Sequence, residues 1–388
     1  MQRSDTRVLT THVGSLPRPN DLLDMMKARI QGGPDVQGAN GDAFRARVKS
    51  AVSDIVRQQL QNGIDIPSDG EQGKFGFFSY VTDRLSGFEP RADRRFGGFA
   101  AEVSAFPEYY ADYFGRAMTG GSILPIVPME CTGPVIYRGQ EAIQRDIANL
   151  KAAVDGRMPA DVFMPSIAPS GVGSNQFYKT RQEYLAAVGE AMRHEYLAIV
   201  DAGFILQIDD PFLSESYSEP GQTVQDWRIG AQSWIEALNH ALRGIPPGKI
   251  RFHTCYGINE GPRIHDAPMS EIAPLLLKIN AGAYSFEAAN ARHEHEYHLW
   301  ENLKLPEDKI LIPGVITHAG NIVEHPDLIA ERIIRFAERV GRENVIAGTD
   351  CGFSSQATYR PEVHPTVMWA KFRAMEEGAA LATKKLWA

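Results

Sequence analysis

The residues with the clearest chemical potential are His253 and Cys255, one residue apart in RFHTCYG (251–257), where a short apolar run ends. Side chains two apart on a strand share a face. An imidazole and a thiol placed side by side in this way make half of a zinc site. Cys351, in GTDCG (348–352), offers a second thiol, and Glu287, in SFEAAN (285–290), offers an oxygen at the end of another apolar run. One imidazole and two thiolates leave an exchangeable fourth position on zinc, where an arriving substrate thiol is deprotonated at neutral pH and becomes a nucleophile. Glu287 suits a fourth ligand that such a thiol displaces. Taken singly, each of these is also an ordinary packing residue, since free cysteine is among the most buried types. What favours a metal is that two of only three cysteines, Cys131 being the other, close apolar runs.

A second group of polar residues sits at comparable places. IDIPSDGEQG (64–73) ends in Asp69 and Glu71, FILQIDD (204–210) in Asp209 and Asp210, and VLTTHVGSL (8–16) carries Ser15. Two carboxylates beside a thiol site are what a substrate ammonium requires, although they would also serve to hold loops together. His318 follows the run KILIPGVIT (309–317) and could relay a proton or merely support its neighbours; Asp350, next to Cys351, could orient a ligand. The cluster RHEHEYH (292–298) reads as a solvated or oligomer-facing patch in preference to a second metal site.

These residues need elements to hold them. Strands are expected to start near positions 8, 64, 161, 204, 249, 283, 309 and 344, each a continuous apolar run followed by a helical pattern. Continuous apolar strands between helices point to a parallel sheet buried on both faces. A (β/α)8 TIM barrel is the expectation, because it gathers the strand ends carrying Asp69/Glu71, Asp209/Asp210, His253/Cys255, Glu287, His318 and Asp350/Cys351 at one mouth. An open doubly wound sheet is the structural alternative. Residues 1–388 then form one domain, with 74–160, aromatic-rich and irregular, inserted after the second strand as a lid.

Composition narrows the partners. A net charge of −8 without a basic stripe argues against nucleic acid, and no run of eighteen apolar residues suits a membrane. The polar N-terminus and the few cysteines point to a cytoplasmic protein. The run PEYYADYF (107–114), read as exposed, would suit a homo-oligomer contact.

Set in order, THVGSLPRP, DGE, QIDDP, HTCYG, SFEAAN, GVITH and GTDCG resemble the catalytic half of cobalamin-independent methionine synthase and its short relatives, among the zinc-dependent thiol alkyltransferases. The resemblance implies Zn2+ on His253, Cys255, Glu287 and Cys351 in a (β/α)8 barrel. It also implies Glu71 and Asp209 on the amino group of homocysteine, Ser15 near its backbone, and His318 near the methyl donor. Two departures stand out: the chain is too short for the second half of the full-length synthase, and SGVGSNQFYK (170–179) lacks the tryptophan that stacks on folate in those enzymes.

Three functions follow. The first is transfer of a methyl group from an alkyl donor to homocysteine or a similar small thiol, activated as a zinc thiolate. The second is opening of an epoxide by a thiol such as coenzyme M, whose sulfonate would need Lys74 or Arg292. The third is a zinc-stabilised barrel that binds without catalysis.

Overall fold

The computed structural model describes residues 1–32, 39–77, 79–93, 98–116, 121–257 and 260–388. Nine strands occur among them: β1 (Leu85–Pro90), β2 (Met129–Tyr137), β3 (Phe163–Ile167), β4 (Ser174–Asn175), β5 (Ile205–Asp209), β6 (Ile250–His253), β7 (Ala283–Phe286), β8 (Ile310–Ile316) and β9 (Gly348–Thr349). Six of them form a parallel sheet in the order β3-β5-β6-β7-β8-β9. Every residue of these six is buried, as continuous apolar runs covered on both faces require.

Helices alternate with the strands. Arg181–Asp201 starts on a capping box, Thr180 with Glu183, and leads into β5; Val224–Ala241 starts on another, Thr223 with Asp226, and leads towards β6. Met269–Leu276 precedes β7, Pro326–Val340 lies between β8 and β9, and Pro365–Leu386 closes the chain. Among the described residues no helix is long and apolar enough to cross a membrane.

The first two expected strands differ from the rest. Residues near Thr10 and Ile66 do not form strands of the sheet; they make isolated parallel bridges, Thr10 with Ala347 and Thr11 with Ile66. Gly14, Pro17 and Pro19 on one side and Pro67 on the other interrupt the ladder soon after it begins. Thr11 N still donates to Ala347 O at 2.8 Å, and Phe163 N to Pro67 O at 3.1 Å. One compact apolar cluster draws Leu9, Ile66, Phe163, Ile205, Ala283, Ile310, Ile312 and Ile346 together, so both segments pack inside the curled sheet.

Within 74–160, β1 pairs antiparallel with β2, and β2 pairs parallel with β4, which follows β3 outside that stretch. The helices Ala100–Ala105, Pro107–Arg116 and Gln140–Val154 also lie in this stretch, of which 78, 94–97 and 117–120 fall outside the described residues. The run 107–114 is not an exposed aromatic surface. Tyr110 and Tyr113 are fully buried in a cluster with Phe99, because they fall three apart on the inner face of a short helix.

Candidate metal centre and substrate cleft

β6 ends at His253, and the chain continues without helix, so Cys255 stays on the same side of the sheet. β9 ends two residues before Cys351. The ligand atoms of His253, Cys255 and Cys351 all lie within 4.8 Å of one another. His253 Nδ1 meets Ser285 Oγ at 3.2 Å, while Nε2 is buried without a hydrogen-bond partner among the described residues. A buried ring nitrogen left unpaired is costly unless something else occupies it. Burial holds the His253 imidazole down at about 3, against the pull of Glu287, so it is neutral and able to ligate. The Cys255 thiol beside it, followed by burial, pushes Cys351 well above the ordinary thiol range. Two thiols and a neutral imidazole with no cation among them make a donor set suited to a soft or borderline divalent metal.

The same three side chains line a cleft of about 980 Å³, part of it open to solvent, together with Ser15, Glu71 and Asp209. Ser15 is placed by the backbone: Phe353 N donates to Ser15 O at 2.9 Å, and the missing side chain of Gly352 leaves room for Ser15 Oγ beside Cys351. Glu71 has a left-handed backbone, φ 55°, unusual for a residue with a Cβ. Its carbonyl accepts from Arg18 Nη2 and from Lys74 N, both at 3.0 Å, and its carboxylate accepts from Lys74 Nζ at 3.0 Å. Lys74 is buried in that pair, and Arg292, the other cation expected to serve a sulfonate, is exposed.

Asp209 Oδ1 accepts from Gln207 Nε2 at 2.7 Å, and Gln207 Oε1 accepts from Arg251 Nε at 2.6 Å. Burial, then the neighbouring charge of Glu71, raises the Asp209 carboxyl well above the usual range. A cation beside it would reverse that cost. Arg251, fully buried over the face of Phe163 at 3.5 Å, was not singled out from the sequence. Its mark was a charge inside an otherwise apolar run, two residues before His253.

Glu287, His318 and Asp350 do not line the cleft. Glu287 is not one of the three clustered donors. Its Oε1 accepts from Tyr256 N at 3.1 Å, and its Oε2 from Arg263 Nη1 at 2.9 Å and Asn290 Nδ2 at 2.7 Å. Asp350 Oδ1 accepts from the backbones of Ala288 and Ala289, both at 2.8 Å, so it shapes the loop after Glu287; Gly314 leaves room for that carboxylate. Burial raises Asp350 to about 6 and lowers His318 to about 4, leaving the latter neutral.

The 292–298 cluster is not simply solvated. Arg292, His295 and His298 are exposed, but His293 is buried, stacked on Tyr256 at 4.1 Å and bonded to Glu296 at 2.7 Å and Asp266 at 3.1 Å. Burial opposes its charge, yet Asp266 and Glu296 raise it to about 9.

The family model for the catalytic domain of cobalamin-independent synthase matches residues 168–371, from the end of β3 into the last helix. The chain belongs to this family. A methionine synthase of Saccharolobus islandicus (strain L.S.2.15 / Lassen #1) is 25% identical over 388 residues, covering 97% of this chain and 95% of that relative. One from Sulfolobus acidocaldarius is 23% identical over 346 residues, 88% of this chain and 85% of the relative. A B12-independent methionine synthase from Shewanella sp. W3-18-1, solved in complex with selenomethionine, superposes with a TM-score of 0.70 at 19% identity over 98% of this chain and 99% of that one. A structural-genomics target from Listeria monocytogenes gives 0.66 at 19% identity over the same shares. These two likenesses concern the fold.

Proposed function

We propose that the protein is a zinc-dependent thiol alkyltransferase that moves a methyl group onto homocysteine or a similar amino thiol. The observation that carries this reading is that His253, Cys255 and Cys351 line one cleft with Glu71 and Asp209. Zinc held by the three soft donors would lower the pKa of a substrate thiol and make it nucleophilic at neutral pH. Ser285 engages Nδ1 of His253, which leaves Nε2 as the ring nitrogen available to a metal. Glu71 and Asp209 receive the substrate ammonium, which offsets the desolvation of Asp209. Ser15, anchored beside Gly352, lies where the rest of the amino acid would rest. His318 and Asp350 act from behind the cleft, as supports.

The fold that serves this is, on our reading, one domain built as a closed (β/α)8 barrel with 74–160 as its lid. The bridges at Thr10 and Thr11 and the inner cluster spanning Leu9 to Ile346 support closure.

A sulfonate thiol is the weaker alternative, because Lys74 is already paired with Glu71 and the cleft presents carboxylates. The selenomethionine in the Shewanella structure, an amino acid, favours the same side. Calorimetry on the zinc-loaded protein decides between them: homocysteine is expected to bind and coenzyme M not. Binding of coenzyme M alone would reject the methyl-transfer reading.

A further inference from the structure

We propose that the seam between the 74–160 insertion and the loops after β3 and β5 holds a second ligand site, one that takes an uncharged, largely apolar small molecule. It stands independently of the metal centre and of the transfer reaction above. The seam encloses a cavity of about 1340 Å³, part of it open to solvent. Its walls are Leu85 and Phe88 of β1, the run 124–129 (LPIVPM) leading into β2, the loop 170–174 after β3, and Phe212 after β5. Among the described residues no charged side chain lines it.

These walls are pinned to one another. β2 pairs with β4 beside the loop 170–174, and Gln176 N donates to Cys131 O at 3.0 Å. Gly173, left-handed at φ 57°, lets that loop come close: a Cβ there would meet Met129 O at 2.8 Å and the Phe88 ring at 2.9 Å. Arg91 N donates to Pro128 O at 2.8 Å and so ties down the run 124–129, in which Pro125 and Pro128 lack the N–H needed to extend a ladder.

The polar atoms of the wall explain why charge is unwelcome. The hydroxyls of Ser79, Thr82, Ser170 and Ser174 each donate within the protein, to Gly76 O, Ser79 O, Asp210 Oδ2 and Met129 O. An anion entering here would lose its water and find those protons committed, and a cation would meet no carboxylate on the wall. An apolar body incurs neither cost and gains by leaving water. The cavity also abuts the cleft: the segments 122–124, 211–212 and 355–356 run from one into the other, and Gln356, for whose side chain Gly76 leaves room, lines both. A ligand held in the seam therefore borders whatever occupies the cleft.

The test is fluorescence titration of the full chain with two dyes that share their rings, uncharged N-phenyl-1-naphthylamine and its sulfonate, 8-anilinonaphthalene-1-sulfonate. The uncharged dye is expected to saturate a single site with a Kd of about 1–100 μM, and the sulfonate to bind at least about tenfold more weakly. Ile126→Asp, which places a charge on the wall, and Leu124→Trp, which fills the space, should each weaken the uncharged dye by about tenfold or more. Urea melts check that both variants fold. If Ile126→Asp does not, Val127→Asp, at a more exposed point of the same wall, should show a smaller loss of the same sign. Equal binding of the two dyes, no saturable binding of the uncharged one, or unchanged affinity in the folded variants overturns the proposal.

Discussion

Two polar clusters lie side by side at the ends of β6, β7 and β9, and they are finished in opposite ways. In one, Glu287, Arg263, Asp266, His293 and Glu296 alternate in sign, and each carboxylate meets a cationic or polar donor. In the other, His253, Cys255 and Cys351 face one another with no counter-charge; each cluster keeps one buried nitrogen without a partner among the described residues, Arg263 Nη2 and His253 Nε2, so it is the matching of charge that sets them apart. A closed network stabilises a fold without help, whereas an open one makes physical sense only when something from outside completes it. That difference separates a support from a site more sharply than residue type does, since both clusters contain histidine and acidic neighbours.

The comparison can be broken most forcefully at the thiols. Cys255→Ser or Cys351→Ser should abolish stoichiometric zinc and lower alkyl transfer by about a thousandfold, as loss of several kcal/mol of metal assistance implies. Full activity with no bound metal would end the argument.

The closed network should respond to pH instead. The His293 imidazole is raised to about 9, from an ordinary value near 6.5. Its contribution to stability is therefore fully present below about pH 6.5 and is lost as pH rises through about 9. His293→Gln should destabilise by on the order of 3 kcal/mol at pH 6, converging with wild type above about pH 9.5, by urea midpoints. A pH-independent difference between the two would show that the charge is not what matters.

A smaller effect is expected at the carboxylate pair. Asp209→Asn should raise KM for the amino thiol by about 10- to 100-fold, the worth of a hydrogen bond to a charged group, with zinc content unchanged. An unaltered KM would reassign Asp209 to loop support. Smallest is Ser285→Ala, which frees the His253 ring and should weaken zinc by about tenfold in chelator competition.

Much of the centre was legible because soft donors are scarce in this chain and sit where apolar runs stop. His253, Cys255 and Cys351 needed only spacing and strand ends to be found. Glu287 was harder: its position at a strand end is visible, but the arginine that holds it enters from a loop whose backbone turns left-handed at Arg263, and no periodicity announces that. His293 and Tyr110 misled for a related reason. A charged or aromatic stretch looks solvated until another part of the chain packs over it, and those partners, Asp266 and Phe99, come from irregular segments. In the sheet, β3 and β5–β9 announced themselves by unbroken apolar runs, while the segments at Thr10 and Ile66, cut short by proline and glycine, kept only single bridges.

Arg251 joins distant parts of the chain: its guanidinium reaches Thr11 Oγ1 at 2.9 Å and the carbonyl of His12, about 240 residues earlier, while its Nε steadies the Gln207 that positions Asp209. Contacts across such separations form late, after local helices and neighbouring strands are in place. During synthesis the first segment can bridge to Ile66 early, but its contacts with Arg251 wait until β6 has emerged, and its bridge to Ala347 waits until the chain has reached that residue. The support behind Asp209 is therefore complete only after the two ends of that long span have met.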